Sequence, residues 1–135
     1  MGQVKAQWLS AKIMRHYEWG DNAVYAHWCP ACKHLHPFYV DQPTHTGARW
    51  SYNLNHDSPT FQPSMNISWG GPNDEDGIHG RCHYFITNGM IIYCGDSLHE
   101  FANQTLTLPD IPRQQWLLVG VIPPDDGISL NASTI

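Results

Sequence analysis

Charge is scarce in this chain. Only 14% of its 135 residues are charged, and seven Lys and Arg against twelve Asp and Glu leave a formal net charge of −5. A surface that neutralises phosphates needs clustered basic side chains, so the balance argues against a nucleic-acid partner. Apolar runs of about 18 residues, the length that crosses a bilayer, are missing, as is a charged-then-apolar leader. The expectation is a cytoplasmic protein with no membrane partner. No internal repeat or low-complexity tract breaks the chain, and its length suits one small domain with one core.

What the chain does have is aromatic residues (12%), ten prolines, eleven glycines, nine histidines and four cysteines. Frequent Pro and Gly favour many short strands over long helices. The expected fold class is therefore β-rich, mainly β with a short helix near 97–102. The divisions expected are an N-terminal arm over 1–22, undecided between helix and strand, a core over 23–122, and a flexible tail over 123–135.

One stretch organises the rest. Two runs of β-branched and aromatic residues flank Asn88-Gly89, the dipeptide suited to the positive φ angles of a two-residue type I′ turn. With Thr87 facing Met90, His83 faces Cys94 and position 81 faces Asp96, and directly opposed residues share a sheet face. His83 and Asp96 then become diagonal neighbours, while Cys82 points to the other side. This hairpin can serve two sites, one on each face.

A second motif is Cys29-Pro30-Ala31-Cys32, between a strand at Ala23–Trp28 and another beginning near His36. Without a secretory route, a Cys-x-x-Cys pair reads as a metal knuckle rather than a disulfide, and a strand–turn–strand frame makes it a zinc-knuckle hairpin. Arg49–Leu54 alternates as a strand. Pro59–Ser64 is an extended run stiffened by its prolines, and Met65–Trp69 continues as a strand. Residues 70–80 read as a surface loop. Ser97 and Glu100 fit a capping box for the short helix. Residues 105–108 read as a strand, and 116–122 as an apolar strand or helix.

Four motifs in order, His27-Trp28-Cys29-Pro30-x-Cys32 with His36 beyond, Pro59-Thr60-Phe61-x-Pro63-Ser64, Cys82-His83-x-Phe85-Ile86, and Asp96-x-x-His99 with Gln104, resemble the DUF6527 (BubE-like) proteins of bacteria and phages. The resemblance spans 27 to about 112. It implies a serine-type peptidase whose substrate and partner is a ubiquitin-like protein.

A serine needs a base within hydrogen-bond reach and a third group to orient that base. Ser64, His83 and Asp96 are the candidate catalytic residues on that logic. For Zn2+, expected to be structural, Cys29 and Cys32 are the anchor, and Cys82 and His99 are the choice to complete a tetrahedral set. His36 is the rival, as ligand or as base, and His83 is a further candidate ligand. Cys94 reads as a small core residue, the remaining histidines as surface or packing residues, and Trp28, Trp50, Trp69 and Trp116 as core. Three functions follow: a zinc-stabilised serine peptidase cleaving a ubiquitin-like modifier precursor or conjugate, a metal-dependent hydrolase with His36, His83, Asp96 and His99 around a catalytic zinc, and a non-enzymatic zinc module that captures a host defence protein.

Overall fold

A computed structural model of the chain describes residues 5–70 and 78–124. Among these residues nine strands form two antiparallel meanders. The first sheet holds β1 (Ala6–Trp8), β2 (Met14–Trp19), β3 (Asn22–Cys29) and β4 (His34–Phe38) in that order. The second holds β5 (Ser51–Tyr52), β6 (Phe61–Gly70), β7 (Ile78–Thr87), β8 (Met90–Tyr93) and β9 (Thr105–Thr107). The undecided arm is thus strand: β1 pairs with β2 and β2 with β3. Within each sheet every strand pairs with its neighbours in sequence, and the tightest connection is the β7–β8 hairpin, where Asn88 and Gly89 have φ of 50° and 77°. Its register, Thr87 opposite Met90, is the expected one.

The inner faces of the two sheets meet. Cys29 and Phe38 from the first pack with Phe61, Met65, Cys82, Tyr84, Ile86, Ile91 and Tyr93 from the second. Along β7 the alternation is strict, with Cys82, Tyr84 and Ile86 buried and Arg81, His83 and Phe85 on the other face. An aromatic column, Phe38 on Phe61 (centroids 4.0 Å apart) and Phe61 on Tyr52 (4.1 Å), ties the sheets together where β6 begins. Each such ring pair adds about 0.5–1.5 kcal/mol beyond its buried area.

The first sheet is covered on its other face too. Trp116 of α1 (Arg113–Leu118) is 1% exposed and packs with Ala6, Met14, Ala26 and Ile111. The expected helix near 97–102 is instead a series of turns, with Ala102 N–H donating to His99 O and Gln104 N–H to Phe101 O. The reason lies at Ser97. Its hydroxyl is spent on the backbone of His83 and so does not cap a helix. Residues 116–122, ambiguous in sequence, enter as the end of α1 and the segment after it. The supposed loop over 70–80 is partly strand, since Gly70 pairs with Ile78; 71–77 and the His79 side chain lie outside the described residues, as does the tail over 125–135. Among the described residues no helix is long and apolar enough to cross a membrane.

Candidate functional site

Ser64, His83 and Asp96 come together on the outer face of the second sheet. Ser64 lies where β6 departs from regular pairing: Phe61 opposes Ile86, but the next partners are Met65 and Tyr84, so β6 carries two extra residues between them. Pro63 has no N–H to give to a ladder, and such positions collect at bulges. A bulge re-aims the side chain it carries. Here Asn66, not Ser64, opposes His83, and Ser64 Oγ reaches across to His83 Nε2 at 3.0 Å. Trp50 Nε1–H donates to the Ser64 carbonyl at 3.2 Å and anchors the serine's backbone.

Asp96 is delivered by a turn. β8 ends at Tyr93, yet Cys94 N–H still donates to His83 O at 2.8 Å and Leu98 N–H to Arg81 O at 2.7 Å. Between those two bonds the chain makes a tight turn closed by Ser97 N–H donating to Cys94 O. Asp96 projects from it toward the imidazole, with Oδ1 at 2.9 Å and Oδ2 at 3.2 Å from His83 Nδ1. The hydrogen bond from His83 holds the Asp96 carboxyl below the usual carboxylate range, and the Arg81 guanidinium, 3.7 Å from Oδ2, acts in the same direction. An ionised carboxylate accepts the Nδ1 proton, which leaves Nε2 with the lone pair that a serine proton needs.

Two supports of this constellation were not singled out in sequence. Ser97, 5% exposed, accepts from His83 N–H at 3.1 Å and donates to His83 O at 3.0 Å, so one hydroxyl locks the base's backbone to the turn that carries Asp96. Arg81 was expected to face Asp96 across the hairpin, but its backbone pairs with Leu98, and it meets Asp96 through its side chain. Nothing in the sequence separates Ser97 from a helix cap.

The other face of β7 carries the thiols. Cys29 and Cys82 are fully buried with sulfurs 3.7 Å apart, too far for a disulfide, and all four cysteines are free. The Cys32 backbone N–H donates to Cys29 Sγ at 3.4 Å, as expected in a Cys-Pro-x-Cys turn. Hydrogen bonds from the Cys32 and Cys82 thiols push Cys29 down, whereas the same contacts raise Cys32 to about 11 and push Cys82 up. The three thiols thus oppose one another's ionisation, and a cation among them would relieve that opposition.

Two imidazoles border the cluster. His36, buried, offers a ring nitrogen in a group with the Cys29 and Cys82 sulfurs in which all ligand atoms lie within 4.8 Å. Its Nδ1 meets Tyr84 Oη at 3.1 Å, and that hydroxyl also meets His27 Nε2 at 2.7 Å. Burial lowers both histidines, His27 to about 3. His99 Nδ1 accepts from Phe101 N–H at 3.1 Å, and its Nε2 is buried without a partner. Cys32, His36 and His99 share a cavity of about 550 Å³ with Ile67, Trp69 and Leu98. The donor set suits a metal ion: these Cys and His residues could hold one.

The arrangement separates what the metal-hydrolase expectation had joined. His83 and Asp96 face away from the thiols, while His36 and His99 face the cavity on the core side, so the four do not form one shell. Strand alternation is the cause, because consecutive residues Cys82 and His83 must point to opposite faces. Cys94 is half-buried rather than a core residue. His27 is packing, as expected, but at the centre of the core; of the tryptophans, Trp116 is core, Trp28 and Trp50 are half-buried, and Trp69 is 50% exposed.

No curated protein and no solved structure matches the chain. One protein family does, over residues 4–94, more than half of the length, a span that includes Ser64, His83, both cysteines of the turn and Cys82. Asp96 and His99 lie just past its end. With a serine, an imidazole and a carboxylate in hydrogen-bonding sequence on one face, the chain belongs to the family of bacterial ubiquitination-like system serine proteases, BubE.

Proposed function

We propose that this protein is a zinc-stabilised serine peptidase that cleaves a ubiquitin-like modifier from a precursor or a conjugate. Ser64 is the nucleophile, His83 the general base and Asp96 the group that sets the base's tautomer. The observation that carries this reading is the unbroken line from Ser64 Oγ to His83 Nε2 at 3.0 Å and from His83 Nδ1 to Asp96 Oδ1 at 2.9 Å. In that line His83 takes the serine proton as Oγ attacks the acyl carbon, and Asp96 stabilises the imidazolium that results. The same proton then passes to the leaving amine. The exposed side chains of Gln62, Asn66 and Phe85 on the outer face of the second sheet support an extended peptide tail as the part that is cut, and the family's ubiquitination-like setting makes a ubiquitin-like protein the substrate that fits.

The metal is Zn2+, held by the thiolates of Cys29, Cys32 and Cys82 and by one imidazole, and three thiolates with one imidazole is a structural zinc set. His36 fits the fourth place better than His99. Its Nδ1–H can donate to Tyr84 Oη, leaving Nε2 free as a ligand, the outer hydrogen bond that metal-bound histidines commonly make. His99 Nδ1 already accepts a backbone N–H, so its remaining proton sits on the orphaned Nε2, poised to donate rather than to ligate. The bound ion supplies a cross-link between the sheets, since Cys29, Cys32 and His36 come from the β3–β4 hairpin and Cys82 from β7.

The test is cleavage of a modifier fused through its C-terminus to a reporter protein. Wild type cuts, Ser64→Ala does not, and mild chelation that leaves the fold intact does not stop cutting. Cleavage by Ser64→Ala that chelators abolish would move the chemistry to the metal, and no cleavage by any form would leave a binding module.

A further inference from the structure

Cys94 plays no part in the serine mechanism, yet its thiol stands against it. Backbone pairing sets Cys94 opposite His83, and a ring nitrogen of His83, the Cys94 sulfur and an Asp96 carboxylate oxygen all lie within 4.8 Å of one another. We propose that these three side chains form a second cation site, on the face of β7 away from Cys82, where a thiophilic divalent ion such as Zn2+ binds reversibly and switches the peptidase off. The consequence for activity rests on the serine-peptidase reading; the binding rests on the geometry of the three donors.

Imidazole, thiolate and carboxylate are the donor types of zinc, with bonds of about 2.0–2.3 Å. Ligand atoms around such a tetrahedral ion stand about 3.3–3.8 Å apart, so shifts of roughly an ångström close the set. The Asp96 side chain, 46% exposed, has that freedom, and solvent can fill the fourth position. By contrast, the Cys29 and Cys82 sulfurs are fully buried, so the two sites differ in how readily an ion enters and leaves.

The protons account for the inhibition. Binding releases the Cys94 thiol proton to solvent, and the ion takes the place of the proton on Nδ1, the nitrogen that Asp96 already touches, so that this proton moves through solvent to Nε2. The one proton left on the imidazole then resides on Nε2, 3.0 Å from Ser64 Oγ. An N–H at that position cannot accept the serine proton. Asp96 exchanges its role as acceptor of the Nδ1 proton for that of a ligand, and no oxidation or reduction is involved.

The experiment uses the full chain already loaded with one equivalent of Zn2+. Further Zn2+ is added, uptake is measured by equilibrium dialysis, and cleavage is followed at the same concentrations. Wild type takes up a second equivalent and loses activity in parallel; Cys94→Ser weakens both the uptake and the inhibition by about tenfold or more, the scale on which metal sites respond to loss of a supporting group. Inhibition is read as the ratio of rates with and without added ion, so a change in basal rate does not enter. No second equivalent in wild type, or equal uptake by Cys94→Ser, overturns the proposal. A protein that binds the second ion through Cys94 but cleaves nothing upholds the site and refutes the peptidase reading.

Discussion

Replacing Asp96 by Asn tests the tautomer argument at its weakest link. The carboxylate accepts His83 Nδ1–H at 2.9 Å, and Arg81 Nη1 lies 3.7 Å from its other oxygen. An asparagine at 96 has one acceptor and one donor end, and the donor-only guanidinium of Arg81 draws the amide oxygen to itself. The amide NH2 then faces Nδ1, which must accept, and the ring proton moves to Nε2 against Ser64. Loss of the correct tautomer in a serine–histidine–carboxylate site lowers kcat by about a thousand- to ten-thousand-fold. The substitution leaves packing alone, since Asp96 is exposed, so the melting temperature should hold. The assay is single-turnover cleavage of a modifier–reporter fusion by Asp96→Asn, with Arg81→Gln/Asp96→Asn alongside. In the double variant the amide is free to turn its oxygen to Nδ1, and part of the rate returns. A single variant within about tenfold of wild type would refute the reasoning, because a base that keeps working without its carboxylate is not oriented by it.

Other outcomes follow from the same contacts. Cys29→Ser removes a buried thiol from the proposed zinc set, and because metal-binding energy is folding energy in a small domain, the variant should melt at markedly lower temperature and lose zinc; unchanged melting contradicts a structural ion there. His36→Ala should lower zinc stoichiometry more than His99→Ala, and the reverse order in metal analysis would give the fourth place to His99. Burial lowers His27 from 6.5 to about 3, so below pH 6.5 the unfolded chain takes up a proton that the fold refuses. Stability is therefore complete above that pH and falls by about 1.4 kcal/mol per unit as pH drops toward 3, a slope that urea titrations at pH 7 and 5 resolve and that His27→Phe should flatten. Ser97→Ala unlocks the His83 backbone and should reduce kcat by about tenfold with KM little changed, while Ser97→Thr, which keeps the hydroxyl, restores much of it.

The parts legible in sequence are those set by local chemistry. Asn88-Gly89 specified a turn type, and the turn specified the register that set Cys94 opposite His83 and turned Cys82 to the other face; Asp96 instead reaches His83 from a turn past the end of β8, with Leu98 in the place opposite Arg81. Each step used only neighbours along one hairpin. The residues that failed to read are those whose partners come from elsewhere. Ser97 and Glu100 have the spacing of a capping box, but Ser97 finds the His83 backbone instead, a contact across 14 positions. Residues 6–19 carried no clean period, since Ile13 packs into the inter-sheet core and Met14 into the cluster under α1, so apolar residues point both ways. The choice between His36 and His99 was equally hidden. It depends on which ring nitrogen each neighbour occupies, and the neighbour of His36 is Tyr84 on β7, 48 positions along the chain.

The central claim is that Ser64 is an activated nucleophile, and covalent labelling tests it directly. The zinc-loaded protein is treated with an organophosphonate serine-hydrolase probe and mapped by mass spectrometry. The account predicts one adduct, on Ser64, absent in His83→Ala and much slower to form in Asp96→Asn. Cleavage of the modifier fusion at full rate by Ser64→Ala, with no Ser64 adduct in wild type, would contradict it.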